Sequence, residues 1–146
     1  MSEGTSGSFT EGGPVKEVVS DLTKIKGVLG AIIIAKDGVL IDKDLAVDVD
    51  DEVISAMVSA VGNTINRASE LMHTGNLKQA MIDAQGGKIF IADADFGYIA
   101  IITIPEVNIG LIRLELKKAA EKAIAKMGEE EAPPKTSSEP DEEKLV

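Results

Sequence analysis

Apolar residues between Pro14 and Met127 follow two different periods, and the switch between them predicts the order of elements. Val15, Val18, Val19, Leu22 and Ile25 recur at helical spacing behind Pro14, which suits a first helical turn, and Gly27 can end that helix. In LGAIIIAKDGVLI (29–41) an unbroken aliphatic run meets Asp37-Gly38 and a second short apolar run. Asp-Gly supplies the two positive-φ residues of a tight hairpin, and AIIIA reads as a strand covered on both faces, because a half-exposed strand would alternate. A second helix is predicted from Asp50 or Asp51, either of which can cap it, to about Met72, with Gly75 as its stop.

Three strands follow, in LKQAMIDAQ (77–85), KIFIADA (88–94) and YIAIITI (98–104). Gly86-Gly87 is read as a two-residue hairpin and Asp95-Phe96-Gly97 as part of the next turn, while Pro105 cannot donate to a ladder and ends the last strand. The final helix is predicted from Asn108, its cap, to Met127, with Ile109, Ile112, Leu116 and Ala120 on one stripe. The pattern is therefore helix, two strands, helix, three strands, helix. It predicts an α+β fold whose five-stranded, mainly antiparallel sheet carries helices on both faces.

The second helix is unusual because MVSAVGNTINRAS (57–69) carries one charge, Arg67. At about 100° per residue, Val53, Met57, Val61, Ile65, Ala68 and Leu71 fall on one side, with Ile54, Val58 and Met72 widening the arc. Ser55, Ser59, Gly62, Asn66 and Ser69 lie opposite, all small and uncharged. The expectation is that the apolar arc meets the sheet and something beyond it, while the small face lets a partner approach closely.

Composition narrows the functional classes. The chain has 146 residues, enough for one domain, with one Tyr, three Phe, no Trp and no Cys, so the core is aliphatic and disulfides and thiolate chemistry are excluded. Of the formal charge of −10, −5 lies in 128–146 and −2 in 1–13, which leaves −3 for 14–127. Such a charge disfavours nucleic-acid binding, which needs clustered Lys and Arg. Residues 1–13 read as a flexible segment, 14–127 as the domain, and 128–146 as a disordered acidic tail. With neither signal peptide nor membrane span legible, a cytoplasmic protein without membrane insertion is expected.

Candidate chemistry is sparse. Asp-Phe-Gly at 95–97 lacks the companion motifs of a kinase and reads as a turn. Asp48, Asp50 and Asp51 lack the glycine and distal glutamate of a calcium loop and suit a helix start instead, so no metal is expected. His73, the single histidine, is read as a surface or capping residue, and no cofactor or catalytic residue is assigned. Arg67 and Arg113 are the only arginines; each reads more simply as a helix surface residue than as a group acting on a partner's phosphate.

Four phrases, GVLGAIIIAKDGVLI (27–41), ISAMVSAVGNTI (54–65), the hairpin at Gly86-Gly87 and VNIGLIRLEL (107–116), resemble the Roadblock family, the dynein light-chain type domain with a profilin-like architecture. The resemblance covers nearly all of 14–127. It implies a homodimer, or a heterodimer or higher oligomer, whose third strands pair edge to edge with the second helices side by side. For this chain that places Met57, Val58, Val61, Ile65, Lys78, Ala80 and Ile82 at the dimer interface. Ser55, Ser59, Gly62, Asn66 and Arg67 are then left for an incoming protein. Some prokaryotic relatives regulate a small Ras-like GTPase, which makes a non-enzymatic GTPase regulator the first functional expectation. A scaffold or light-chain-like subunit that leaves GTP hydrolysis unaltered is the second. A small-ligand sensor is the third, weakened by strands with few polar groups to orient a ligand.

Overall fold

The computed structural model describes residue 13 and residues 15–46 and 48–131. Its elements are α1 (Lys16–Thr23), β1 (Val28–Ala35), β2 (Leu40–Leu45), α2 (Asp51–Leu71), β3 (Gln79–Ala84), β4 (Gly87–Asp93), β5 (Gly97–Thr103) and α3 (Ile109–Glu131). They form one antiparallel sheet in the order β2-β1-β5-β4-β3, so β2 and β3 are its edges. The expected α+β class and element order are both present.

Alternation in the central strands divides the core into two layers. Ala31 and Ile33 of β1, Phe90 and Ala92 of β4, and Ile99 and Ile101 of β5 pack with Val18 and Leu22 of α1 and Ile112 and Leu116 of α3. Ile32, Ile34, Ile91, Tyr98 and Ala100 project to the other side, where Val58 of α2 and Leu77 meet them. The unbroken AIIIA run is thereby buried from both sides, as its lack of alternation requires.

Local chemistry sets the boundaries. Asp50 Oδ1 accepts from the amides of Glu52 and Val53 and caps α2, and Asn108 Oδ1 accepts from Leu111 N at 3.0 Å to cap α3. Pro14, read as part of the first helical turn, lies outside the described residues.

Four expectations are corrected. In the β1–β2 turn only Gly38 has positive φ, at 95°, while Asp37 does not, and Gly38 N bonds to Ala35 O at 2.9 Å. That is a type I turn followed by a left-handed glycine rather than a two-residue hairpin. Ala84 pairs with Gly87, so Gln85-Gly86 make the β3–β4 turn and Gly87 belongs to the strand. Helix α2 ends at Leu71, close to the expected Met72, but the residue that terminates it is His73 rather than Gly75: His73, at φ 64°, donates its amide to Glu70 O, and Thr74 N donates to Ser69 O. This pair of bonds is a Schellman ending with His73 in the usual glycine position. Finally, α3 continues to Glu131, past the boundary expected at 127; residues 132–146 and 1–12 lie outside the described residues. No helix among the described residues is long and apolar enough to cross a membrane.

Candidate functional site

Helix α2 is seated on the sheet by its small residues. A Cβ on Gly62 would stand 2.8 Å from three atoms of the Tyr98 ring, and Tyr98 is fully buried. Only glycine lets the helix backbone come this close. Next to it, Tyr98 donates its hydroxyl hydrogen to Asn63 Oδ1, and Asn63 Nδ2 donates to Lys36 O at 3.1 Å. Lys36 Nζ lies 3.0 Å from Asp93 Oδ1 and 5.4 Å from the Tyr98 ring centroid. Partial burial disfavours the Lys36 ammonium, but its pair with Asp93 outweighs that and holds its pKa above the ordinary lysine value. Burial raises the Tyr98 phenol, so it stays a hydrogen-bond donor.

Helix α2 is consequently rotated about its axis from the orientation expected, with Ile54, Val58 and Ile65 still on the sheet but the small residues beside them. Ser55, Ser59 and Gly62 are buried against the chain's own sheet, and Ser59 Oγ lies 3.3 Å from the position of a Cβ on Gly38 in the β1–β2 turn. Asn66 is half-buried and accepts from Leu77 N at 2.7 Å, tying α2 to the approach of β3. These four are structural contacts and do not form an open face; of the five expected partner contacts, Arg67 alone is exposed. The physical reason is the Tyr98 ring, whose bulk on this face of the sheet demands small residues above it. The only tyrosine, set in the aliphatic run YIAIITI, was the available sequence signal.

Turning the small face inward brings part of the apolar arc to the surface. Val53 is 55 %, Met57 58 % and Val61 36 % exposed, and Leu71 and Met72 continue the exposure at the end of the helix. Val58 is buried and Ile54 and Ile65 are partly buried in the layer beneath, so Val58 and Ile65, expected at a dimer interface, serve chiefly the chain's own core. One flank of α2 touches the β1–β2 turn through Asn63 and Ala56. The opposite flank carries Val61 and Met57, and the sheet extends beyond β5 to β4 and β3. There Ala80 and Ile89 are half-buried, Ile82 is 38 % exposed and Lys78 is exposed. The outer rim of β3 has no partner strand in this sheet.

The remaining candidates resolve into structural roles. Asp51 pairs with Lys43 at 2.8 Å, and Asp95, at φ 61°, turns β4 into β5. No group of acidic, His or Cys residues able to hold a metal ion occurs among the described residues. Arg113 is exposed on α3, and its main-chain carbonyl accepts from Gln79 Nε2 at 2.9 Å. One charged group was missed: Asp42, 5 % exposed, lies beneath α1 with Oδ1 bonded to Lys43 N, while its Oδ2 has no hydrogen-bond partner among the described residues. Burial pushes its pKa above the ordinary carboxylate value, against the lowering effects of the Lys43 amide and Lys16.

A sheet flanked by α1 and α3 on one side and by α2 on the other, with β3 as a free edge among the described residues, defines a class of small α+β domains. The Roadblock/LC7 domain pattern matches residues 14–103, and the chain belongs to that family. It is 37 % identical over 111 residues to the uncharacterized protein MJ1340 of Methanocaldococcus jannaschii, covering 76 % of this chain and 97 % of that protein. The uncharacterized protein MJ0310 of the same organism is 36 % identical with the same coverage. Among solved structures, Myxococcus xanthus MglB superposes with a TM-score of 0.74 at 16 % identity, over 84 % of this chain and 98 % of that one. The gliding protein MglB of Thermus thermophilus gives 0.73 at 14 % identity, over 86 % and 95 %. At these identities the likeness is one of fold.

Proposed function

We propose that this protein is a non-enzymatic, dimeric interaction module that binds and regulates a small Ras-like GTPase. The reading is carried by the exposed apolar stripe Val53, Met57 and Val61 of α2, taken together with an edge strand β3 that has no outer partner among the described residues. Pairing two β3 edges antiparallel would satisfy their free main-chain groups and bring the two stripes together with Ala80 and Ile82. Membership of the Roadblock/LC7 family is in keeping with this arrangement, which the family resemblance implies. The GTPase part rests on the family resemblance.

The inward turn of Ser55, Ser59 and Gly62 moves the proposed GTPase contact to the crest of α2. Ala60, Thr64 and Arg67 are exposed there, with Arg67 as the one charge. Binding of nucleotide-loaded candidate GTPases, together with their GTP turnover, tests the reading. Nucleotide-dependent binding is expected, weakened about fivefold or more by Arg67→Glu through loss of one interfacial charge contact. Binding that leaves turnover unchanged would favour the scaffold reading, and no binding to any candidate would contradict both the partner and the contact.

A further inference from the structure

A groove of about 900 Å³ runs from the α2–β3 connection, across the start of β3, to the flank of α3. Lys78, Arg113 and Lys117 line it, with Leu114 and Ile124 supplying apolar wall. Several lysines elsewhere have acidic neighbours: Lys43 meets Asp51, Lys88 meets Asp83, Lys118 meets Glu115, and Lys122 and Lys126 meet Glu17. Lys16, Lys24 and Lys26 make no such pair among the described residues, but they do not line this groove. No such pair is made by Lys78, Arg113 or Lys117 among the described residues. Of the two acids in the groove, Asp93 is already engaged with Lys36 at 3.0 Å, which leaves Glu121. The groove is thus cationic in a chain of net charge −10. It also holds Gln79 Oε1, buried and without a hydrogen-bond partner among the described residues, an acceptor that a peptide N–H would satisfy.

We infer that this groove receives the acidic segment Glu139–Glu143 of the same chain. That segment supplies Glu139, Asp141, Glu142 and Glu143 and is followed by Leu145 and Val146, apolar residues that match Leu114, itself 51 % exposed. The reach is sufficient. Lys117 lies about 21 Å back along the helix from Glu131 at 1.5 Å per residue, and the ten residues from Glu131 to Asp141 can span roughly 33 Å. Tethering holds the effective concentration of the acids near the millimolar range, so individually weak exposed pairs suffice for occupancy. The contact requires no GTPase, and Arg113 and Lys117 of α3 lie outside the residues expected at the dimer interface, although Lys78 is among them.

Zero-length carbodiimide coupling of the full chain, with the linked peptides located by mass spectrometry, tests the assignment. Lys122 and Glu17, 3.4 Å apart, form an internal positive control. The expected result is coupling of Lys78 and Lys117 to carboxylates of 139–143, suppressed in about 1 M salt, where the screening length falls to about 3 Å. Arg113→Gln, which removes a cation that cannot itself couple, should lower the yield at Lys117 about two- to fivefold and leave the control unchanged. Coupling of the control without coupling at Lys78 or Lys117 would overturn the inference. So would equal coupling of 139–143 to Lys24 and Lys26, which follow α1 outside the groove. In a mixture of heavy-isotope-labelled and unlabelled protein, products joining two copies would overturn the same-chain assignment.

Discussion

Gly62 shows how one missing Cβ fixes the face of a helix. Added to the contact with Tyr98, an alanine side chain gains about 1 kcal/mol of helix propensity but forces overpacking that costs about 1–3 kcal/mol. Gly62→Ala is therefore expected to lower stability by about 1 kcal/mol, and Gly62→Val by more, in urea unfolding. Asp42 makes a prediction of a different kind. Its folded-state pKa is raised, mainly by burial, so near and above 3.8 the folded chain binds its proton more tightly than the unfolded chain does. Stability from this group is present at low pH and declines as pH rises from 3.8 toward the raised value. Asp42→Asn should remove that decline. Its stability advantage over the wild type, measured by urea unfolding across about pH 4 to 7, should grow as the pH increases.

Among the elements, α2 combines a good start with a strained end. Asp50 supplies two side-chain hydrogen bonds at the first turn, whereas His73 holds a left-handed conformation that suits glycine. His73→Gly should stabilise the chain by about 1 kcal/mol in thermal unfolding, provided the Schellman bonds to Ser69 and Glu70 persist. The same helix shows what its sequence could and could not convey. Periodicity located α2 to within a residue because hydrogen bonding and capping are local. It could not say which of two uncharged arcs faces inward, because that depends on Tyr98, more than thirty positions away, filling the surface beneath. For the same reason Ser55, Ser59 and Gly62 read as open contacts when they are packing contacts. Turns were displaced by a residue or two where Gly86, Gly87 and Gly75 offered several acceptable positions and strand register chose among them.

At the scale of the whole molecule, the fold leaves its two sheet edges unlike each other. Edge strand β2 exposes Lys43 and Asp44, charges that discourage a further strand. Edge strand β3 reads QAMIDA, with Met81 and Ile82 exposed and its one charge, Asp83, paired with Lys88 at 3.0 Å. The asymmetry is the physical content of the proposed dimer: one edge is protected by charge and the other offers apolar surface and free main-chain groups to a copy of itself. Met57→Lys combined with Val61→Lys would place like charges near the two-fold axis and is expected to give a folded monomer. The most direct measurement is sedimentation equilibrium of the unmodified chain at micromolar concentration. A species of twice the chain mass is the predicted result, and a single monomeric species would contradict the proposed assembly.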